Sequence, residues 1–527
     1  MSTSISSPDG AAAQAGGTPP HEDKLDRKTL IIAGVVVLGS IMSILDITVV
    51  SVALNTFVKE FDATTAQVAW TMTGYTLALA SVIPLTGWAA DRFGTKRLYL
   101  LAIVLFTLGS ALCAVAGSLE QLIIFRVIQG LGGGMLMPLG MTILTRAAGA
   151  DRVGRVMAVL GIPMLLGPIC GPILGGWLID SASWHWIFLI NVPIGVIALV
   201  YAFKALPADH VEPSETFDWL GMVLLSPGLA AFLYGVSMVP ETGTVWDAEV
   251  LAPAAIGLLL VIAFVPWALN GRNKHPLVDL TLFKNRQMTV AVIAMSLFAL
   301  AFFGASLLFP MYFQVAHGET PLKSGILLAP QGVGAMLTMP LAGFLADKIG
   351  PGKVVIPGIA LIALGMGMFA TLDSDTGYAF LLTALFIQGL GMGATMMPIM
   401  SAALATLKEH QIARGSTLMN IIQQVAASAG TALFSVLITN AFADRASTAL
   451  ATAGEDESKV AEVLRKFGIN PEAIPDVMAK FPDDVAWAFQ GAFVVATILV
   501  VAVLIPALLL PRKKMVADAD RPPVMVH

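Results

Sequence analysis

The sequence predicts an all-α protein that crosses a lipid bilayer many times. Three observations lead there: 57% of the 527 residues are hydrophobic, only 12% are charged, and the mean hydropathy is +0.81. So few charges cannot cover a soluble protein of this length. Apolar stretches of about twenty residues, the length a helix needs to span hydrocarbon, recur from end to end. The net charge of −5 is spread over connecting segments and gives no basis for nucleic-acid binding. Cys113 and Cys170 both lie in apolar runs and read as small packing residues, not as a disulfide or metal ligands.

Residues 1–28, rich in Gly, Ala, Ser and Pro, read as a disordered tail. The first apolar run is about twice as long as a signal-peptide core and lacks a cleavage site, so it is read as a retained span. Hydropathy places fourteen spans at 29–56, 66–90, 97–117, 120–146, 154–179, 185–206, 219–239, 251–270, 288–315, 323–346, 353–372, 377–406, 411–440 and 486–511. An even number leaves both ends on one side. Most Lys and Arg fall in segments of that side, which the positive-inside rule assigns to the cytoplasm. Localisation in the cell (inner) membrane with cytoplasmic N- and C-termini follows, residues 512–527 forming a second tail. Segment 441–484 is charged, with acids outnumbering bases, and is expected on the outer side as a solvated excursion with one or two short amphipathic helices.

Two phrases recur. "GWAADRFGTKR" at 87–97 matches "GFLADKIGPGK" at 343–353, and "QGLGGG" at 129–134 matches "QGLGMG" at 388–393, at nearly equal separations. The chain is therefore read as two six-helix bundles, 29–206 and 287–511, with two inserted helices and their linkers in 207–286. Such repeats place a site between bundles that rock against each other.

The repeated loop has a physical logic. Gly87 and Gly94 allow close packing and a tight turn. Asp91 at a helix boundary caps amides or pairs with a cation. Arg92, Lys96 and Arg97 hold the loop at the inner surface. From these residues alone the segment is either a topology anchor or a latch. In the fifth span Gly167, Gly171 and Gly175 recur every fourth residue and form a smooth stripe. Pro168 and Pro172 each remove a backbone bond and allow bending.

These motifs, with "RVIQGLGGG", "GPICGPILGG", "LDITVVSVAL", "WHWIFLINVPIG" and "FDWLG", resemble the major facilitator superfamily. Within it they are similar to the fourteen-helix drug:proton antiporter family, often called EmrB/QacA-like, over residues 30–510. The resemblance implies the major facilitator fold. It also implies an inner latch built from Gly87, Asp91, Arg92, Gly94 and Arg97, repeated at Gly343, Asp347 and Lys348. The second copy ends in "GPGK" and is expected to latch more weakly. By the same resemblance, Gly167, Pro168, Gly171, Pro172 and Gly175 mark an exporter and seal the outer side between bundles. Ser51 and Asn55 stand where the family has Asn and Pro, and His185 where it has Arg; these departures bear on substrate, not fold.

Asp46 and Arg126 lie deep in the first and fourth spans. An ionised Asp at mid-membrane costs about 2.5–3.5 kcal/mol on insertion scales, tolerable only if it is paired, hydrated or protonated. At 1.5 Å per residue, Asp46 lies roughly 15 Å and Arg126 roughly 10 Å from the outer ends of their helices, so their depths match. The pair either fixes packing or carries the coupling proton, with Arg126 biasing its release from Asp46. The second half carries Leu385 and Phe303 near the corresponding positions, so a six-helix bundle does not need these charges to hold together.

Gln129 lies one turn from Arg126, Gln388 is its repeat mate, and Asn420, Gln423 and Gln424 form a polar stripe in the thirteenth span. With Phe302, Phe309 and Tyr312 in the ninth span and 25 methionines overall, they suggest a large apolar cavity for amphipathic, partly hydrophobic drugs or similar molecules. A dedicated exporter of one endogenous metabolite or lipid is the alternative. Asp46 is the lone intramembrane acid expected, so doubly charged substrates should be poor. No zinc spacing, nucleophile elbow or phosphate loop occurs, so an enzyme is not expected and no cofactor or metal is implied. The expected partners are a small-molecule substrate, protons and the lipid bilayer. The chain is read as a monomer, and a periplasmic adaptor protein, used by some relatives, has no support in these residues.

Overall fold

The computed structural model describes residues 26–149, 152–209, 216–242, 244–270, 273, 275–408, 411–454 and 457–513. The predicted tails lie outside the described residues except at 26–28 and 512–513. Fourteen long helical spans run in order: α1 Arg27–Glu60, α2 Thr65–Phe93, α3 Thr95–Cys113, α4 Leu119–Ala148, α5 Val153–Ser181, α6 His185–Ala205 and α7 Trp219–Ser237, then α8 Ala248–Ala268, α9 Arg286–Ala316, α10 Leu322–Ile349, α11 Pro351–Phe369, α12 Tyr378–Leu404, α13 Ile412–Ala443 and α14 Phe481–Ala507. Thirteen are long and apolar enough to cross a membrane, and α5, at 29 residues, completes the set.

Local chemistry starts these helices. The Asp26 carboxylate accepts from the Thr29 amide at 3.3 Å, and Thr64 with Gln67 forms a capping box that opens α2. Gly94 ends α2 at φ +96° and Gly350 ends α10 at φ +94°, a conformation that a side chain disfavours. Pro351 of "GPGK" then takes the first position of α11, where its missing N–H is harmless.

Several helices depart from regularity. α6 breaks at Ile190, α10 at Leu328, α12 at Ala394 and Thr395, and α14 at Val503, while α9 contains a π-helical turn at Ala299–Phe303. Gly430 of α13 presses on that turn: a Cβ there would lie 2.1 Å from the Leu300 carbonyl oxygen.

Helices α1–α6 form one half and α9–α14 the other. The halves meet where α2 packs on α13 and α5 on α10. The inserted pair α7–α8 lies along the α2–α13 seam. Buried Asp218 anchors this pair, accepting from the Gly221 amide (2.9 Å), Trp267 Nε1 (2.7 Å), Asn273 Nδ2 (3.0 Å) and the Leu277 amide (3.1 Å). Segment 441–484 folds as three short helices, Ala446–Ala453, Glu457–Phe467 and Ile474–Met478. Arg445 ties it to α14 through Asp484 and the Trp487 ring, 4.2 Å from its guanidinium carbon. The face where α1 begins and α14 ends is the terminal face, and its opposite is the distal face.

Candidate functional site

Asp46 on α1 is buried, at 1% exposure, and Arg126 on α4 is wholly enclosed. Arg126 Nη1 donates to Asp46 Oδ2. Gln129 Nε2 donates to Asp46 Oδ1 at 2.7 Å, while Gln129 Oε1 accepts from Arg126 Nη1 at 2.8 Å. That arrangement orients the Gln129 amide without ambiguity, because the flipped amide would set oxygen against carboxylate and NH2 against guanidinium. Asn191 Nδ2 on α6 completes the set, 3.2 Å from Asp46 Oδ1 and 3.1 Å from Ser110 Oγ on α3. Arg126 is fixed from behind: its Nε donates to the Thr71 carbonyl at 3.1 Å, and its guanidinium carbon lies 4.1 Å from the Tyr75 ring centroid. Tyr75 in turn shares a 3.1 Å hydrogen bond with Ser43, one turn from Asp46 on α1.

The sequence pattern singled out Asp46, Arg126 and Gln129, and the structure brings them together. Asn191, Ser110, Tyr75 and Ser43 escaped it. They are uncharged and common in spans, and no spacing rule links α6 or α3 to α1. Among the described residues no group of three or more His, Cys, Asp or Glu is arranged to hold a metal ion.

At the terminal face each half grips the other. Asp91 at the end of α2 pairs with Arg146 of its own half (3.4 Å) and with Arg414 of α13 (3.5 Å), and Thr86 meets Thr417 at 3.0 Å. Asp347 at the end of α10 accepts from the Gly154 and Arg155 amides of α5 (2.8 and 3.2 Å) and pairs with the Arg155 guanidinium (3.5 Å). Gly343 sets the approach, since a Cβ there would lie 2.6 Å from the Gly154 carbonyl oxygen; at Gly87 one would lie 3.0 Å from Thr417 Oγ1. The second copy thus has two amide bonds and an ion pair where a weaker contact was expected, because its acid reaches the free amides at the start of α5. Arg92 and Lys348 take no part in these contacts; Lys348 lies over Phe344, and Arg97 is exposed beside Asp209, which caps α3 by accepting from the Lys96 and Arg97 amides (2.6 and 3.2 Å). Arg155 and Arg414 also went unnoticed in the sequence, although the interval between them equals that between Gln129 and Gln388.

The glycine stripe of α5 requires a correction. It faces α1 within its own half, not the opposite bundle. A Cβ at Gly167 would lie 2.2 Å from Ile44 Cγ2, and one at Gly171 2.0 Å from Thr48 Oγ1; at Gly175 it would meet the Val49 carbonyl oxygen at 3.1 Å. Thr48 Oγ1 donates to the Gly167 carbonyl at 3.1 Å, so the stripe holds α1 on both sides of Asp46. The side chains of Pro168 and Pro172 lie outside the described residues.

The expected cavity residues also need revision. Phe309 packs against Phe369 and Phe493, Tyr312 against Phe369 and Phe489, and Phe302 stacks on Phe298, all buried inside the second half. Their burial follows from the edge-to-face packing available there, which an aromatic-rich run satisfies as readily as a ligand would. Gln388 is fully buried against Gln331 Nε2 at 3.2 Å, and Gln129 is consumed by Asp46. Asn420 bridges the halves, its Nδ2 lying 3.1 Å from Met141 Sδ, and Gln423 remains half-buried on the same helix.

Two repeated helical halves, acid–arginine contacts that cross between them and a charged pair inside a span fit the frame of a membrane transporter. The chain belongs to the major facilitator superfamily, whose family model matches residues 36–431. It is 50% identical over 522 residues to a multidrug resistance protein B homolog of Mycobacterium tuberculosis, covering 98% of this chain and 96% of that protein. It is 31% identical to the multidrug export protein EmrB of Escherichia coli over 76% of this chain and 79% of that one. The solved structures of the human organic anion transporter MFSD10 and the proton:xylose symporter XylE share the fold, with TM-scores of 0.57 and 0.54 at 15% and 17% identity, each over 90% of this chain and over 100% and 96% of those chains.

Proposed function

We propose that this chain is a proton-coupled antiporter that exports amphipathic, partly hydrophobic small molecules by alternating access, with its terminal face in the cytoplasm. The names of its multidrug relatives support the substrate class, and the excess of Lys and Arg on the terminal face supports the orientation. The observation that carries the coupling is the donor set around Asp46. Arg126, Gln129 and Asn191 all donate to it, and among the described residues none accepts from it.

That is a receptor for a carboxylate. A proton on Asp46 Oδ1 would point at an NH2 group, and one on Oδ2 would displace the guanidinium hydrogen bond. Proton uptake therefore breaks at least one bond and frees α1 to move against α4 or α6. Release restores the bonds and draws the helices back. In this scheme the contacts of Asp91 and Asp347 close the cytoplasmic side, and Asp46 takes its proton from the distal side. Substrate binding on the cytoplasmic side later expels that proton inward.

The test is dye export by proteoliposomes under an imposed pH gradient. Wild-type protein is expected to accumulate a monocationic dye, and Asp46→Asn to lose gradient-driven accumulation by at least tenfold. Undiminished gradient-driven export by Asp46→Asn would sink the assignment. With Asp46 as the sole coupling acid, a dicationic dye is expected to be carried far less well than its monocationic counterpart.

A further inference from the structure

We propose a second small-molecule site, outside the Asp46 network, where the inserted helix α7 meets α2 and α13. A cavity of about 380 Å³ opens there between Thr73 and Thr76 of α2, Val236 and Ser237 of α7, and Gln424 and Ser428 of α13. That volume lies at the small end of the range for ligand pockets, about 300–1,000 Å³. Its walls come from both halves and from the inserted pair, so no single bundle contains it. Above it Trp70 of α2 stacks on Tyr234 of α7, with ring centroids 5.6 Å apart.

The lining gives the ligand's chemistry. Among the described residues no Asp, Glu, Lys or Arg lines the cavity, so the lining offers a charged ligand no partner. The Thr76 and Ser237 hydroxyls are spent on their own helices, donating to the Met72 and Tyr234 carbonyls at 3.0 and 2.8 Å. Among the described residues the side chains of Gln424, Thr73 and Ser428 make no hydrogen bond. This half-buried primary amide and these two half-buried hydroxyls are free to bond a ligand that carries its own donor and acceptor. Met72, Leu77, Leu233 and Val236 supply an apolar wall. The site fits a neutral amphipath of one or two rings with a hydroxyl or amide head. Because α2 and α13 belong to different halves, such a ligand binds the latched arrangement in preference to one in which the seam has shifted.

Photolabelling of the full chain in lipid nanodiscs tests this. The probe is a neutral phenyl-trifluoromethyl-diazirine bearing a hydroxymethyl group, with labelled peptides mapped by mass spectrometry. Labelling of α2 and α13 around the cavity is expected to saturate and to be competed by excess unphotolysed benzyl alcohol. Labelling of the lipid-facing residues Leu258, Leu259 and Ile262 of α8, which are exposed, is expected to rise linearly and to resist competition. Ser428→Trp should cut the saturable labelling at least fivefold. Gln424→Leu, which keeps the volume, should weaken the hydroxymethyl probe severalfold and spare its methyl analogue. Asp46→Asn should leave labelling within twofold, so loss of proton coupling and loss of this site read out separately. Non-saturable labelling like that of α8, which would mean lipid partitioning only, overturns the proposal; so does saturable labelling that neither Ser428→Trp nor Gln424→Leu reduces.

Discussion

Asp46 illustrates what single residues reveal. A carboxylate and a guanidinium in apolar runs stand out because burying either charge alone costs several kcal/mol, so their pairing is legible in the sequence. Asn191 and Ser110, which complete the shell, are not, since uncharged polar side chains occur throughout spans. His317, at the distal end of α9, went equally unnoticed. It is packed beside Tyr312, Phe313 and Tyr378, with its Nε2 buried and without a partner among the described residues. The charged groups nearby are Glu319, paired with Lys323 at 2.7 Å, and Asp373, which acts on Tyr312. Burial lowers the His317 pKa, and Glu319 only partly offsets it. The folded chain thus holds this proton less tightly than the unfolded chain does. The stabilising contribution of the neutral ring is complete above the ordinary histidine range and is lost as pH falls from there toward the depressed value. Melting of the purified protein at pH 7.5 and pH 5.5 should show a smaller acid-induced drop for His317→Gln than for wild type. Equal drops would contradict the assignment.

At the scale of elements, the spans were readable because a twenty-residue apolar run is seldom anything but a membrane helix. The irregularities were not. The π turn of α9 depends on Gly430 from a helix more than a hundred residues later in the chain. The facing of the α5 stripe is hidden for a related reason: a row of glycines announces close approach but not the partner. Here the partner is α1, held at Ile44 and Thr48. Gly171→Val forces its side chain into Thr48 and should destabilise the protein by about 1–3 kcal/mol, the usual range for overpacking. It should also reduce transport more than tenfold. Thr48→Ala, which opens space at the contact, is expected to restore part of both. A double-mutant cycle with no coupling between the two changes would show that α5 does not position α1.

For the whole molecule, the repeat was visible from two phrases, and it carries the acid–arginine contacts between the halves as well. Asp91 reaches Arg414 and Asp347 reaches Arg155, the two arginines occupying matching places in the two copies. What the sequence hid was the crossing, in which each acid is served by the other half. Asp347→Ala removes two amide bonds and an ion pair. It should shift the balance toward an open terminal face by about 1–3 kcal/mol, roughly 5- to 150-fold in population. Spin labels at the exposed positions Arg97 and Lys353 should then report longer distances across that face. An unchanged distance distribution would mean that the contact does not latch the halves.

Proton exchange at Asp46 on substrate binding is the step that couples the two fluxes in the proposed cycle. Its most direct measurement is proton release into weakly buffered solution when a transported monocationic dye is added to purified wild-type protein and to Asp46→Asn. Release is expected from the wild type and none from the variant, with dye binding retained in both. Equal proton release from the two proteins would contradict it.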